Sequence, residues 1–292
     1  MHKPVGSLRT HVVNAPVPDD VRAALAHVGW CAASAQPINT LPAARRAVYR
    51  VELVTQRIIK ARRLDDEPTA HQLCTLRAAL PAAFAPVLAR HGRVLLEAWI
   101  DGDDVRERPL DDPLVRRAGG LMAELHAITP ALPRAVYPLE SIVHWWTDAA
   151  RVLEALHAAG LLETRVWRAL GAALQRLVPS VRRVGLMHTD FCGDNMVVDA
   201  QGGLHVIDTE RLTIGEQGFD LARTWYRWPM PAAYWQQFLA AYAARGGTID
   251  CAPAQVYWRL LALASAVLIR LRQGGDAHAP LDRLRALVAE VG

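Results

Sequence analysis

HTDFCGDNMVVDAQGGLHVIDTE, residues 188–210, brings two carboxylates and an amide into a short frame: Asp190, Asn195 and, beyond an apolar interval, Asp208. Met196, Val197 and Val198 form one apolar run, Gln201-Gly202-Gly203 reads as a turn, and Leu204, Val206 and Ile207 resume the run. Two short apolar runs about a glycine turn predict a β-hairpin. Asn195 then stands just before one strand and Asp208 just after the other, so their oxygens share one open end. Asp and Asn also favour turns and N-caps, so the D-x4-N spacing by itself serves turn geometry equally well. With the hairpin and the second acid, the pattern fits phosphoryl transfer. A hydroxyl acceptor needs a carboxylate for its proton, and a triphosphate needs a divalent cation held by carboxylate and amide oxygens.

The whole chain is long enough, at 292 residues, for two lobes with separate cores. Hydrophobic residues make up 52% and charged residues 21%, the balance of a soluble globular protein. The opening MHKPVGSLRTHVV carries no apolar leader segment, and no eighteen-residue uncharged apolar run occurs, so a cytoplasmic protein with no membrane partner is expected. Cys31, Cys74, Cys192 and Cys251 lack C-x-x-C spacing, which argues against a zinc site and a disulfide framework; Cys192 reads as a small filler. The net charge of +4 is spread along the chain without an aromatic-interleaved basic run, so no nucleic-acid partner is expected. Nothing in the sequence sets the oligomeric state. The only lysines are Lys3 and Lys60, and Lys60 falls in a strand pattern, where an edge position or a specific role both suit it.

Residues 18–28 predict a helix, 48–53 with 57–62 a hairpin, 68–80 a helix, and 85–88 and 94–100 strands; 101–104 reads as a linker. Helical spacing then covers 114–128, 139–159, 164–177, 232–245, 254–272 and 281–291. A strand-rich part followed by a helical part suggests two lobes with a cleft between them, where small ligands usually bind.

HTDFCGDN at 188–195, VIDTE at 206–210 and FDLARTWYRW at 219–228, more loosely joined by VYRVEL, RIIK and VLLEAWIDG, resemble the aminoglycoside phosphotransferase and choline kinase family. That resemblance implies an α+β, bilobal protein-kinase-like fold: a nucleotide-binding lobe over 1–98, a hinge over 99–104 and a helical lobe over 105–292. It implies ATP or GTP and Mg²⁺ as cofactors. Asp190 would be the base toward the acceptor, Asn195 and Asp208 the metal ligands, and Lys60 the contact to the α/β-phosphates. His188 and Asp220 would brace the loop, though Asp220 is equally an N-cap, and Glu210 would be a further metal-side or structural acid. Residues 96–99, with Glu97 and Trp99, would run past the adenine. The family's glycine-rich phosphate loop has no counterpart, because no glycine occurs between Gly29 and Gly92. Residues 39–46, with Thr40, Arg45 or Arg46, would take its place. The helix partner of Lys60 stays open among Glu67, His71 and Gln72.

From Asp104 onward there are 20 acids and 20 arginines, and beyond Pro229 only four acids against six arginines. A neutral or anionic sugar, nucleoside or glycosylated antibiotic fits this balance better than a polycation such as an aminoglycoside. Trp145, Trp146, Trp225 and Tyr226 form either an aromatic wall for that acceptor, a choline-like ammonium included, or helix-packing contacts. A non-catalytic nucleotide-binding protein and a Mg²⁺-dependent hydrolase are the competing classes.

Overall fold

The structure is a computed structural model that describes residues 17–39, 47–128 and 148–291. Thr40, Arg45, Arg46, Trp145 and Trp146 therefore lie outside the described residues. Backbone contacts divide the chain into two units, the first ending at Asp101 and the second running from Gly102 onward and also claiming Ala82–Phe84.

The first unit holds α1 (Asp19–His27), β1 (Ala32–Asn39), β2 (Ala47–Leu53), β3 (Ile58–Arg63), α2 (Glu67–Ala78), β4 (Val87–His91) and β5 (Val94–Ala98). Its five strands form one antiparallel sheet in the order β1-β2-β3-β5-β4. Successive strand side chains face opposite ways, and this sheet uses both faces. Ile59, Ala61, Val94 and Leu96 pack beneath Val21, Ala24 and Leu25 of α1. Lys60, Arg62, Leu95 and Glu97 alternate onto the other face. There Glu97, 1% exposed, accepts from Arg62 Nε at 3.1 Å and also pairs with Arg77 of α2. A charge in the buried strand VLLEA is tolerable only with such partners. β1 was not foreseen as a strand. Its sequence AASAQPIN lacks alternation and contains Pro37, which an edge strand accommodates because one side of its backbone has no ladder to supply.

The second unit holds β6 (Gly102–Asp104), α3 (Asp112–Ala127), α4 (Ala149–Ala158), α5 (Thr164–Leu177), β7 (Val184–Met187), β8 (Met196–Asp199), β9 (Leu204–Val206), β10 (Thr213–Glu216), α6 (Gln217–Arg227), α7 (Ala232–Ala244), α8 (Ala252–Arg272) and α9 (His278–Val291). Asp111 caps α3, accepting from Leu114 N at 2.8 Å, a contact typical of helix starts and stabilising by about 1 kcal/mol. α8 is the axis of the helical core: Leu260, Leu261, Leu263 and Val267 are fully buried among residues of α4, α5, α6 and α9. Each such leucine contributes about 1.5–3 kcal/mol. Among the described helices α8 alone is long and apolar enough to cross a membrane, and 67% of its apolar window is buried inside the protein.

Residues 102–104, within the stretch read from sequence as linker, form strand β6, paired with β8 through Gly102↔Asp199 and Asp104↔Val197. Their acidic side chains are exposed, so the pattern hid a strand held by its backbone alone. The β8–β9 hairpin forms as expected. Its turn is pinned by Asp199, whose Oδ1 accepts from Gln201 N at 2.9 Å and Gly203 N at 2.7 Å while Oδ2 meets His205 Nε2 at 2.6 Å. Gly202 supplies the positive φ of 82° that the turn requires.

α3 and α7 pack closely because Gly119 has no side chain: a Cβ there would stand 2.2 Å from the Phe238 carbonyl oxygen. Gly119→Ala should therefore lower stability by about 1–3 kcal/mol, more than the roughly 1 kcal/mol gained in helix propensity. Gly171→Ala, where the new Cβ meets only Leu153 Cδ1 at 3.8 Å, should be neutral or stabilising by up to about 1 kcal/mol. Urea midpoints of the two variants measure the contrast.

Candidate active site

The loop between β7 and β8 carries Asp190 and Asn195 and is fastened from below by one buried carboxylate. Asp220, fully buried in the first turn of α6, accepts from His188 N and Thr189 N, each at 2.9 Å. Its Oδ2 also lies 3.3 Å from His126 Nε2, and His126 Nδ1 is 2.8 Å from the Tyr242 hydroxyl. Helices α3, α6 and α7 thus meet the loop through a single acid. Of the two readings for Asp220, the contacts are those of a loop brace; α6 follows Glu216 as its N-cap.

That fastening holds a strained residue. Thr189 has φ 65°, a left-handed conformation unfavourable for a β-branched side chain. Its N–H is bonded to Asp220 and its carbonyl accepts from Arg223 Nε at 3.0 Å, so both sides of the strained peptide are fixed. The next residue, Asp190, is thereby aimed to a set position. Asp208 is the second left-handed residue here, with φ 59° and ψ 49° at the end of β9.

Asn195 closes the short 3-10 turn Gly193–Asn195, and its side-chain Nδ2 donates to Asp190 O at 2.8 Å and to Asp190 Oδ2 at 3.2 Å. Its amide oxygen is consequently turned away from Asp190. Ile207 N donates to the Asn195 carbonyl at 2.9 Å, which sets Asn195 beside the backbone that leads into Asp208. Glu210 follows within the 3-10 turn Thr209–Arg211. Asn195 thus bonds Asp190 ahead of β8, and Asp208 follows β9 at the same end of the hairpin. Among the described residues no cluster of three or more His, Cys, Asp or Glu side chains forms a protein-only metal cage. One amide oxygen and one carboxylate nevertheless suit Mg²⁺, which fills its other positions with water and phosphate oxygens.

His188 is buried, and its Nε2 donates to the Ile207 carbonyl at 3.0 Å. Burial pulls its pKa below 6.5 against the opposing pull of Asp220 and Asp190, so the ring is neutral. Cys192 is also buried, and burial with the nearby Asp190 charge raises its thiol to about 11. It is a filler and no nucleophile at neutral pH.

Two residues of the site escaped sequence reasoning. Arg227 Nε donates to Asp190 Oδ1 at 2.7 Å and its Nη2 lies 3.4 Å from Oδ2, while Arg223 Nη2 is 3.4 Å from Oδ1. Asp220, Arg223 and Arg227 are spaced i, i+3, i+7, one face of a helix; that spacing was the available signal. Burial raises the Asp190 pKa, but the Arg227 hydrogen bond and the two guanidinium charges outweigh it, and the net shift is downward.

Trp225 points to the other side of α6, with Arg259 and Arg283 guanidinium carbons 4.7 and 4.5 Å from its ring centre. Tyr226 is buried in the helical core. In the first unit Lys60 sits directly across the ladder from Arg50 on one side and Glu97 on the other. Arg50 lies 5.5 Å over the Trp99 ring. Glu67 is engaged by Arg90 at 3.0 Å.

A sequence profile of the phosphotransferase enzyme family matches residues 36–286. No curated protein matches the chain by sequence. Among solved structures, the macrolide 2'-phosphotransferase of Brachybacterium faecium aligns with a TM-score of 0.63 at 17% identity, covering 93% of this chain and 98% of that one. The choline kinase of Streptococcus pneumoniae gives 0.64 at 12% identity, covering 89% and 95%. A spectinomycin phosphotransferase in complex with ADP and spectinomycin gives 0.57 at 13%, covering 89% of each chain. The shared fold is that of protein-kinase-like phosphotransferases.

Asp220→Ala should destabilise the protein by about 1–3 kcal/mol for each backbone N–H it leaves without an acceptor, read from urea unfolding. Neutral His188 adds a pH dependence. The unfolded chain binds its proton below 6.5 while the folded protein does not, so stability should fall as pH drops through 6.5. His188→Gln should flatten that decline between about pH 7.5 and about pH 5.5.

Proposed function

This chain belongs to the phosphotransferase enzyme family, and from that premise we propose that it transfers the γ-phosphoryl group of ATP to a hydroxyl of a neutral or anionic small molecule. The observation that supports the reading is Asn195 bonded to Asp190 at one end of the β8–β9 hairpin, with Asp208 following β9 at that same end. In this assignment Asp190 orients the acceptor hydroxyl and takes its proton. The acceptor oxygen bonds to the γ-phosphorus as the bond to the bridging oxygen of ADP breaks. A carboxylate held ionised by two guanidiniums is a weak base, but such transfers pass through a loose transition state in which positioning outweighs base strength.

Asn195, through its amide oxygen, and Asp208 would hold Mg²⁺, which when bound neutralises charge on the phosphates. His188 and Asp220 keep the loop in place, and Glu210 stands next to the metal-side acid. Lys60 would meet the nucleotide phosphates, and the backbone around Glu97 and Trp99 the base. The buried Glu97 side chain, paired to Arg62 and Arg77, would serve by fixing its strand. Residues 1–98 would be the nucleotide lobe, 99–104 the hinge and 105–292 the acceptor lobe. The cytoplasm, where ATP is available, would be its location.

Asp190→Asn should reduce kcat by at least about a hundredfold, a typical loss for a general-base position, while Mg·ATP still raises the melting temperature as in the parent. ADP release measured with sugars, nucleosides, aminoglycosides and choline tests the reading. Undiminished single-turnover transfer by Asp190→Asn would remove Asp190 from the role.

A further inference from the structure

The guanidinium of Arg227 pairs with Asp190 where both side chains open to solvent, so an acceptor reaching Asp190 from solvent would meet it. Both side chains reach solvent there, Arg227 at 30% and Asp190 at 20% exposure, whereas Arg223 behind them is at 8% and tied to Thr189 O. Arg227 spends Nε and Nη2 on Asp190, and its Nη1 has no hydrogen-bond partner among the described residues. A guanidinium offers five N–H donors in a planar fork suited to carboxylates and phosphates. Part of that fork is unspent at the place where the acceptor hydroxyl would sit.

The same geometry works against a cation. An ammonium one carbon away from the reacting hydroxyl would meet Arg227, already seated as the counter-ion of Asp190. To pair with Asp190 it would have to displace Arg227 and leave that guanidinium half-buried without its carboxylate. Asp194, a second carboxylate whose charge acts on Arg227, is half exposed and faces Arg106 at 3.9 Å, so it offers an incoming cation only a screened charge. The chain beyond Pro229 adds six arginines and four acids, no surplus of negative charge to offset this.

We propose that Arg227 sets the charge of the acceptor: its unspent Nη1 edge receives a carboxylate or phosphate carried beside the hydroxyl that is phosphorylated, and amine-bearing acceptors are disfavoured. Arg227 is then a specificity-determining residue that touches the substrate. This rests on the phosphotransfer reading and narrows it to anionic hydroxyl compounds.

The test uses the full chain with Mg·ATP and two sets of probes matched in skeleton and differing in charge: glucuronate, glucose and glucosamine, and glycerate, glycerol and serinol. ADP release gives kcat/KM for each in the parent, Arg227→Gln and Arg227→Lys. In the parent the anionic member of a set should exceed the cationic one by about tenfold or more, the scale of one partly screened charge pair. Arg227→Gln should collapse that ratio, mainly through KM for the anionic probe, and Arg227→Lys should retain most of it. Because the ratio compares substrates on one protein, a general loss of activity in a variant does not move it. An equal or reversed preference in the parent, or a ratio unchanged in Arg227→Gln, overturns the proposal. Stabilisation by Mg·ATP without any charge preference counts against Arg227 alone. Absence of both nucleotide stabilisation and ADP release with every probe counts against the phosphotransfer reading itself.

Discussion

The buried carboxylate of Asp220 is the contact on which the geometry of this site depends. It gathers two backbone N–H groups of the 188–190 loop and one histidine from α3. A buried carboxylate is costly unless its lone pairs are met, and here they are met by the backbone that leads into Asp190 and by His126. The left-handed Thr189 shows what this cohesion achieves. Strain of about 1–3 kcal/mol persists only where its surroundings over-determine it, and Asp220 and Arg223 fix both sides of that residue.

α6 is accordingly the organising helix of the second unit. One of its faces carries Asp220, Arg223 and Arg227 toward the loop, and the other sends Phe219, Ala222 and Tyr226 into the helical core around α8. Core packing and site geometry are therefore set by the same eleven residues. Asp190 is aimed by its backbone, through Asp220, and oriented by its side chain, through Arg227 and Asn195. The Asn195 amide nitrogen fixes Asp190, which turns its oxygen away from that residue.

The first unit solves a similar problem with another set of charges. Glu97, alone in the apolar strand β5, gathers Arg62 from β3 and Arg77 from α2. A cross-sheet and helix-to-strand ion cluster of this kind is worth little as net stability but penalises any arrangement that leaves a member unpaired. Strand β3 is locked in register by it, and Lys60 is held two residues from Arg62 on the same face.

The sequence by itself determined the elements whose hydrophobic period is clear and the residues whose chemistry is unusual. The hairpin after Asn195 was legible because its apolar runs flank Gln201-Gly202-Gly203, and the long helices because apolar residues recur every three or four positions. Strand β1, with Pro37 and no alternation, was not legible, nor was β6, whose exposed acids resemble a linker, nor β7 and β10, which are four residues each and carry a glycine. Their pairing is supplied by partners distant in the chain. Only the tertiary structure decided that Arg227 and Arg223 close on Asp190, that Glu97 lies between two arginines, and that Trp225 is covered by Arg259 and Arg283. The physical reason is common to these cases: a local pattern fixes which face a side chain occupies, whereas the charge it meets there comes from another element, and desolvation makes that meeting decisive.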